Sequence, residues 1–307
     1  MENNIYDLAI LGAGPAGICA AIYATRAKLN TIWLDRKFVQ GGQIVDTYEV
    51  DNYPGLPGIT GLDLGEAMAG HAEKLGLKPK REPVLSVTDE GEIKVIRTKK
   101  NEYHARAVII ACGATHRHLG IPGEEELGGM GVSYCATCDA AFFQEGTVAV
   151  VGGGNVAVED AILLSRTCKK VYLVHRRDEL RAEKILQDSL FACHNVELVW
   201  DSVPVSVEGS DKVEALKVRN VKTDVETEIP VEGVFIAVGI VPGTAKFKGL
   251  VDLDESGYII AGEDGVTSTP GIFAAGDIRT KNLRQVVTAV ADGANAVASV
   301  QRYLMEY

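Results

Sequence analysis

Residues 6–17 read Tyr6-Asp7-Leu8-Ala9-Ile10-Leu11-Gly12-Ala13-Gly14-Pro15-Ala16-Gly17. The apolar run through Leu11 predicts a buried strand of a parallel sheet. The G-x-G-x-x-G turn after it opens an alanine-rich helix to about Ala27, and Thr31-Ile32-Trp33-Leu34 predicts a second strand ending in Asp35. Strand, glycine turn, helix and strand with a terminal acid form a dinucleotide-binding unit. The glycines permit a tight turn and close approach of backbone to a pyrophosphate, while the helix N-terminus supplies N–H donors and partial positive charge. Gly12, Gly14, Pro15, Ala16 and Gly17 are therefore candidate cofactor contacts, with Asp35 placed for a ribose hydroxyl pair.

The pattern recurs. Thr147 to Val151 predicts a strand, Gly152-Gly153-Gly154-Asn155-Val156-Ala157 the turn, a helix follows to about Ser165, and Val171-Tyr172-Leu173-Val174 the next strand. This unit ends in His175-Arg176-Arg177, with Arg181 one helical turn on, where the first ends in Asp35. A carboxylate there would repel a 2′-phosphate, whereas guanidiniums bind one through charge-assisted hydrogen bonds. Gly152, Gly154, Asn155, Val156, His175, Arg176, Arg177 and Arg181 are thus expected to hold NADPH in preference to NADH.

Between the two units lie a Gly/Pro-rich loop from Gly41 to Gly61, helical spacing from Leu62 to Leu75, and β-rich runs ending in Ala107-Val108-Ile109-Ile110-Ala111. Cys112-Gly113-Ala114 reads as a crossing out of the first domain and Val241-Pro242-Gly243-Thr244 as the return. The last segment, Ser268 to Asp277, predicts a strand closing on Gly276-Asp277, and Leu283 to Tyr303 a long helix of small residues. The fold class expected is α/β, with two Rossmann-like dinucleotide-binding domains, the second inserted into the first: 1–114 with 244–307, and 115–243. Asp277 reads either as a turn carboxylate or as a partner of a flavin's ribityl chain. The following helix favours the second reading, because its N-terminus would stabilise the anionic side of a reduced flavin, with Arg284 and Gln285 at that end.

Bulk properties agree with an ordinary enzyme. A chain of 307 residues exceeds one typical core, and a net charge of −11 argues against a nucleic-acid partner. No segment is long and apolar enough to span a membrane, and the apolar run from Leu8 to Ala24 lacks the basic flank of a signal peptide. Six scattered cysteines do not make a secreted disulfide scaffold, which places the chain in the cytoplasm.

One close pair remains, in Ser133-Tyr134-Cys135-Ala136-Thr137-Cys138-Asp139. Zinc would require two further soft ligands at suitable spacing, and no metal is expected; a structural cystine suits a reducing compartment poorly. Redox chemistry is the favoured reading, because a C-x-x-C thiol can be acidified to about 7 or below and its partner can resolve a mixed disulfide. Asp139 reads as a helix-initiating residue or, preferably, as the carboxyl that moves a proton when a thiolate leaves or attacks. Cys19, Cys112, Cys168 and Cys193 read as small buried hydrophobes.

Taken in order, Gly12 to Gly17, Gly41-Gly42-Gln43, Asn52-Tyr53-Pro54-Gly55, Cys135 to Asp139, Gly152 to Asn155, His175-Arg176-Arg177 with Arg181-Ala182, and Gly276-Asp277 resemble the low-molecular-weight, bacterial-type NADPH-dependent thioredoxin reductases over essentially the whole chain. The resemblance implies FAD on the first domain, NADPH on the inserted one, Cys135–Cys138 as the active disulfide, thioredoxin as electron acceptor, and a homodimer. It implies that Gly42, Gln43 and Asn52 lie near the FAD, that Arg284-Gln285-Val286 lies at the flavin, and that Cys138 faces it. Ala140 departs from the family pattern, standing where a glycine is usual. Because both the cysteine pair and the nicotinamide site belong to the inserted domain, a rotation about Ala114 to Ile121 and Val241 to Thr244 is expected to present them alternately to the flavin. Alternatives are a peroxide-reductase flavoprotein, a ferredoxin-driven reductase, a small-molecule dithiol oxidase, or a noncatalytic nucleotide-binding redox sensor.

Overall fold

The structure is a computed structural model and describes residues 5–47, 50 and 52–306. The chain forms two compact units, Met1–Thr115 with Val241–Tyr307, and His116–Ile240 between them.

The first unit starts with β1 (Ile5–Leu11), α1 (Pro15–Arg26), β2 (Thr31–Asp35), α2 (Gly61–Lys74), β3 (Lys80–Arg81), β4 (Val84–Glu90), β5 (Ile93–Thr98) and β6 (Glu102–Ile110). Strands β3, β2, β1 and β6 run parallel in that order, and on its other edge β6 pairs antiparallel with β5, which pairs antiparallel with β4. Side chains alternate across β1, so Leu8 and Ile10 enter one buried cluster with α1 while Ala9 and Leu11 enter another on the opposite face. Two-sided burial explains the absence of polar alternation. Trp33 is fully buried at 1% exposure, and its indole N–H donates to the Gly12 carbonyl (2.9 Å), which satisfies its one polar atom.

The chain leaves through β7 (Ala114–His116). The second unit follows with β8 (Val132–Ser133), α3 (Ala136–Asp139), β9 (Thr147–Gly152), α4 (Asn155–Ser165), β10 (Lys170–Val174), α5 (Lys184–Phe191), β11 (Val196–Val199), β12 (Ser202–Glu208), β13 (Ala215–Asn220), β14 (Glu226–Pro230) and β15 (Gly233–Ala237). Its parallel sheet has the order β11-β10-β9-β15-β8, and β12, β13 and β14 make a separate antiparallel sheet. One face of the parallel sheet packs on α4 through Val148, Val150, Ala157 and Ala161, and the other on the antiparallel sheet through Ala149, Val151, Leu216 and Val218. Ala140 follows α3 with φ −54° and ψ −32°, ordinary right-handed helical backbone that does not require a glycine.

The return strand β16 (Ile240–Pro242) pairs with β7 as a two-stranded ribbon. Then β17 (Ile272–Ala274) joins β6 in parallel, and α6 (Val286–Glu306) closes the first unit. α6 starts three residues later than its apolar spacing predicts, because the Gln285 N–H turns to the Thr288 hydroxyl (3.2 Å) at the first helical turn. Small residues let α1 and α6 touch backbone to backbone: a Cβ on Gly293 would fall 2.2 Å from the Ala16 carbonyl oxygen. Among the described residues no helix is long and apolar enough to cross a membrane.

Candidate functional site

The first glycine loop is shaped by its own crowding. Gly12 takes φ +113°, and a Cβ there would strike the Ala111 carbonyl oxygen at 2.3 Å, while one on Gly17 would strike the Gly12 carbonyl oxygen at 2.0 Å. Gly14 caps α1 in an extended conformation with Pro15 as the first helical residue and Ala16 buried behind it. Gly42 comes up beside this turn, with its own Cβ position 3.0 Å from the Gly14 Cα. Asp35 ends β2, where burial raises its carboxyl and the backbone N–H groups of Arg36 and Lys37 act against that rise.

The remaining candidates of this unit lie around the start of α6, the end of β17 or the start of β7. The Asn52 amide donates to Gln285 Oε1 (3.0 Å), and the Gln43 amide donates to the Ala114 carbonyl. Asp277 follows Gly276 (φ +80°) at the end of β17. Its Oδ1 is buried and has no hydrogen-bond partner among the described residues, and the same is true of Arg284 Nε. The Arg284 guanidinium lies 4.1 Å from the centre of the Tyr258 ring, and Val286 is the first residue of α6. Burial raises the Asp277 carboxyl, opposed by Lys281 and Arg284. Buried polar groups are normally paired, so two orphans side by side fit a bound polar ligand such as a flavin with its ribityl hydroxyls.

In the second unit Gly152 has φ +158°, and Gly154 caps α4 with nothing within 4 Å of its Cβ position, leaving room for a phosphate. Gly153 is packed against His175, whose ring would be 2.3 Å from an added Cβ. His175 is buried with Nε2 unpartnered among the described residues. Burial, then the guanidiniums of Arg181, Arg176 and Arg177, push its pKa down, so it is neutral at pH 7. The Arg181 N–H donates to the Gly153 carbonyl (2.7 Å), tying the arginine segment to the glycine loop. Asn155 does not stand free: its Oδ1 accepts from the Glu183 N–H (2.9 Å) and its amide donates to Glu183 Oε1 (3.2 Å). Val156 is exposed in the first turn of α4.

The three arginines are exposed, and their side chains have no carboxylate partner among the described residues. Three of the nearby acids are occupied, and the fourth, Glu179, is exposed and pairs with none of the arginines. Lys222 bridges Asp178 (3.0 Å) and Asp201 (2.9 Å), and Glu183 is held by Asn155. Three like charges with no counter-ion fit an anionic ligand.

Cys135 and Cys138 form a disulfide with Cα atoms 5.3 Å apart, spanning the start of α3. The Cys135 carbonyl accepts from the N–H groups of Cys138 (3.2 Å) and Asp139 (3.1 Å). Ser133 couples the two features of the motif: its hydroxyl donates to Asp139 Oδ2 (2.6 Å) and accepts from the Cys135 N–H (3.0 Å). Burial raises the Asp139 carboxyl and the Ser133 bond opposes it. Of the other cysteines, Cys19 and Cys168 are buried, with burial raising the Cys19 thiol to about 11, whereas Cys112 and Cys193 are only part-buried.

The pyridine nucleotide-disulphide oxidoreductase family matches residues 6–293. The chain is 48% identical to the thioredoxin reductase of Listeria innocua, over 99% of this chain and 96% of that one. The chain belongs to this family, among the thioredoxin reductases. Solved structures agree: that of Streptococcus pyogenes thioredoxin reductase has 46% identity and a TM-score of 0.95 over 100% of both chains. Lactococcus lactis thioredoxin reductase, in what is described as its FR conformation, has 44% identity and a TM-score of 0.67 over 98% of this chain and 100% of that one. As a family member the chain is an oxidoreductase that uses a flavin and a pyridine nucleotide.

Motif reading misses three residues that hold the candidate groups in place. Ser133 precedes Cys135 by two residues and could have been found as a hydroxyl within reach of Asp139. Glu183, 28 residues from Asn155, and Asp292, which accepts from the Gly276 N–H (2.9 Å), are long-range partners with no local signal.

Proposed function

We propose that the chain reduces thioredoxin with electrons from NADPH, holding FAD on the first unit and NADPH on the second and passing electrons through Cys135 and Cys138. The observation that carries this reading is a disulfide built on the same unit as a glycine loop whose neighbouring strand ends in unpaired guanidiniums. Arg176, Arg177 and Arg181 suit a 2′-phosphate and favour NADPH over NADH or a ferredoxin donor. Gly152, Gly154 and Val156 line its pyrophosphate, while Asn155 and His175 shape the loop.

On the first unit, Gly12, Gly14, Pro15, Ala16, Gly17 and Gly42 hold the FAD pyrophosphate, Asp35 its ribose, and Asp277 its ribityl chain. Gln43, Asn52, Arg284, Gln285 and Val286 border the flavin. When bound, the flavin converts a two-electron hydride into thiol–disulfide chemistry. Cys138 is the sulfur presented to it. Asp139, kept protonated to higher pH by burial, delivers a proton to the departing thiolate. The Ser133 hydroxyl orients that carboxyl through Oδ2, which leaves Oδ1 to hold the proton.

The two chain crossings lie together in one short ribbon, β7 with β16. We propose that the units reorient about it. The same reading makes the protein a homodimer of the cytoplasm, without nucleic-acid or membrane partners.

The test is an anaerobic one. FAD-loaded protein is expected to bleach with NADPH far faster than with NADH and to recover its colour on addition of oxidised thioredoxin. Equal use of NADH, or thioredoxin left oxidised, would overturn the proposal.

A further inference from the structure

Behind the Gly276-Asp277 turn lies a buried charge cluster that neither glycine loop requires. Asp292 sits in the second turn of α6. Its Oδ1 accepts from Arg279 Nη2 (2.6 Å), and its Oδ2 accepts from Arg279 Nε (2.8 Å), Lys281 Nζ (3.0 Å) and the Gly276 backbone N–H (2.9 Å). The side chains of Arg279, Lys281 and Asp292 are each 6% exposed. Arg279 Nη1 donates to the carbonyls of Ala261 (3.3 Å) and Thr280 (2.8 Å), so the guanidinium is locked on every side.

Two cations share one carboxylate, and one positive charge is therefore left without a counter-ion in the cluster. The other charged pair at this end of the unit, Asp277 and Arg284, adds one charge of each sign and does not change the excess. Uncompensated buried charge is costly and is seldom kept without a use. The cluster also sets the backbone of the turn: Gly276 is held between the Asp292 carboxylate and α1, where its Cβ position is 2.9 Å from the Ala16 Cβ. The residue so presented is Asp277, with its buried and unpartnered Oδ1.

We infer that Arg279, Lys281 and Asp292 are positioning residues for the flavin, Asp292 fixing the Gly276-Asp277 turn and the excess positive charge favouring the reduced state of the cofactor. The inference rests on the flavoprotein reading given above. Reduction by a hydride brings two electrons and one proton, so the bound flavin gains one negative charge. A fixed positive charge in a dry site stabilises that state over the oxidised one, with no reorganisation needed. The sign of the effect is then set by each member of the cluster separately.

The experiment is an anaerobic reductive titration of the FAD-loaded protein against a reference dye. Lys281→Gln keeps a donor to Asp292 and removes the charge. At a fixed potential its ratio of reduced to oxidised flavin is expected to fall about tenfold, which is about 30 mV for a two-electron couple. Lys281→Arg is expected to keep the parent value. Asp292→Asn retains an acceptor for the Gly276 N–H and removes the negative charge, and its ratio is expected to rise by a comparable factor. A purely structural cluster would shift Lys281→Gln and Asp292→Asn the same way, or shift neither, and either result overturns the inference. If Asp292→Asn loses its flavin, Lys281→Gln against Lys281→Arg still decides, since equal potentials in these two variants refute the charge effect. Failure of the parent itself to bind FAD would instead sink the flavoprotein reading, and is seen before any variant is compared.

Discussion

Removing two of the three guanidiniums, in Arg176→Ala with Arg181→Ala, should erase the preference for NADPH while leaving NADH use intact. The side chains are exposed and have no carboxylate partner among the described residues, with Asp178 and Asp201 engaged by Lys222 and Glu183 by Asn155. A charge-assisted hydrogen bond to a phosphate contributes about 1.5–3 kcal/mol when sheltered, and exposure to solvent reduces this to about 0.5–1 kcal/mol each. Two such bonds make about 1–2 kcal/mol, or roughly 5–30-fold in kcat/KM for NADPH. NADH has no 2′-phosphate and should change less than about threefold. The assay is steady-state thioredoxin reduction with each nucleotide at several ionic strengths. The parent's NADPH preference should weaken as salt rises, because exposed charges are screened. A double variant that keeps the parent's NADPH-to-NADH ratio would refute the role given to the cluster.

Two further predictions concern the second unit. A Cβ on Gly153 would enter the buried His175 ring, so Gly153→Ala should cost about 1–3 kcal/mol in urea denaturation, and His175→Ala in the same chain should recover part of it; equal stability of Gly153→Ala and the parent would show that the ring yields freely. Burial and the adjacent Glu159 raise the Asp160 carboxyl to about 7, against 3.8 unperturbed. Between those values the folded chain keeps a proton that the unfolded chain has released, so stability falls as pH rises through that window and the loss is complete above it. Asp160→Asn should therefore gain about 1–2 kcal/mol at pH 8 and almost nothing at pH 4, as read from melting curves at both values. A gain independent of pH would contradict this assignment.

How much was legible from sequence depended on whether a feature is local. The two glycine turns, the opposite charges ending β2 and β10, and the cysteine pair are contiguous patterns whose chemistry is set within about 30 residues, and the strands and helices around them formed where apolar periodicity placed them. The start of α6 shifted because one hydroxyl, Thr288, captured the Gln285 N–H, a choice that periodicity does not encode. Ser133 was visible but uninterpreted. Asp292 was not legible at all, since a lone aspartate on a helix of small residues reads as solvent-facing until Arg279 and Lys281 are seen to fold onto it. Asn155 shows the opposite case, a residue expected at the cofactor whose side chain is engaged by Glu183 across 28 positions.

The central claim, that electrons from NADPH pass through Cys135 and Cys138, is tested most directly by counting reducing equivalents. In an anaerobic titration of FAD-loaded protein, the parent should take up two equivalents of NADPH per chain, one for the flavin and one for the disulfide, with two new thiols appearing. Cys138→Ser should take up one and gain no thiols from this pair. One equivalent in both proteins, with thioredoxin still reduced by Cys138→Ser, would contradict the account.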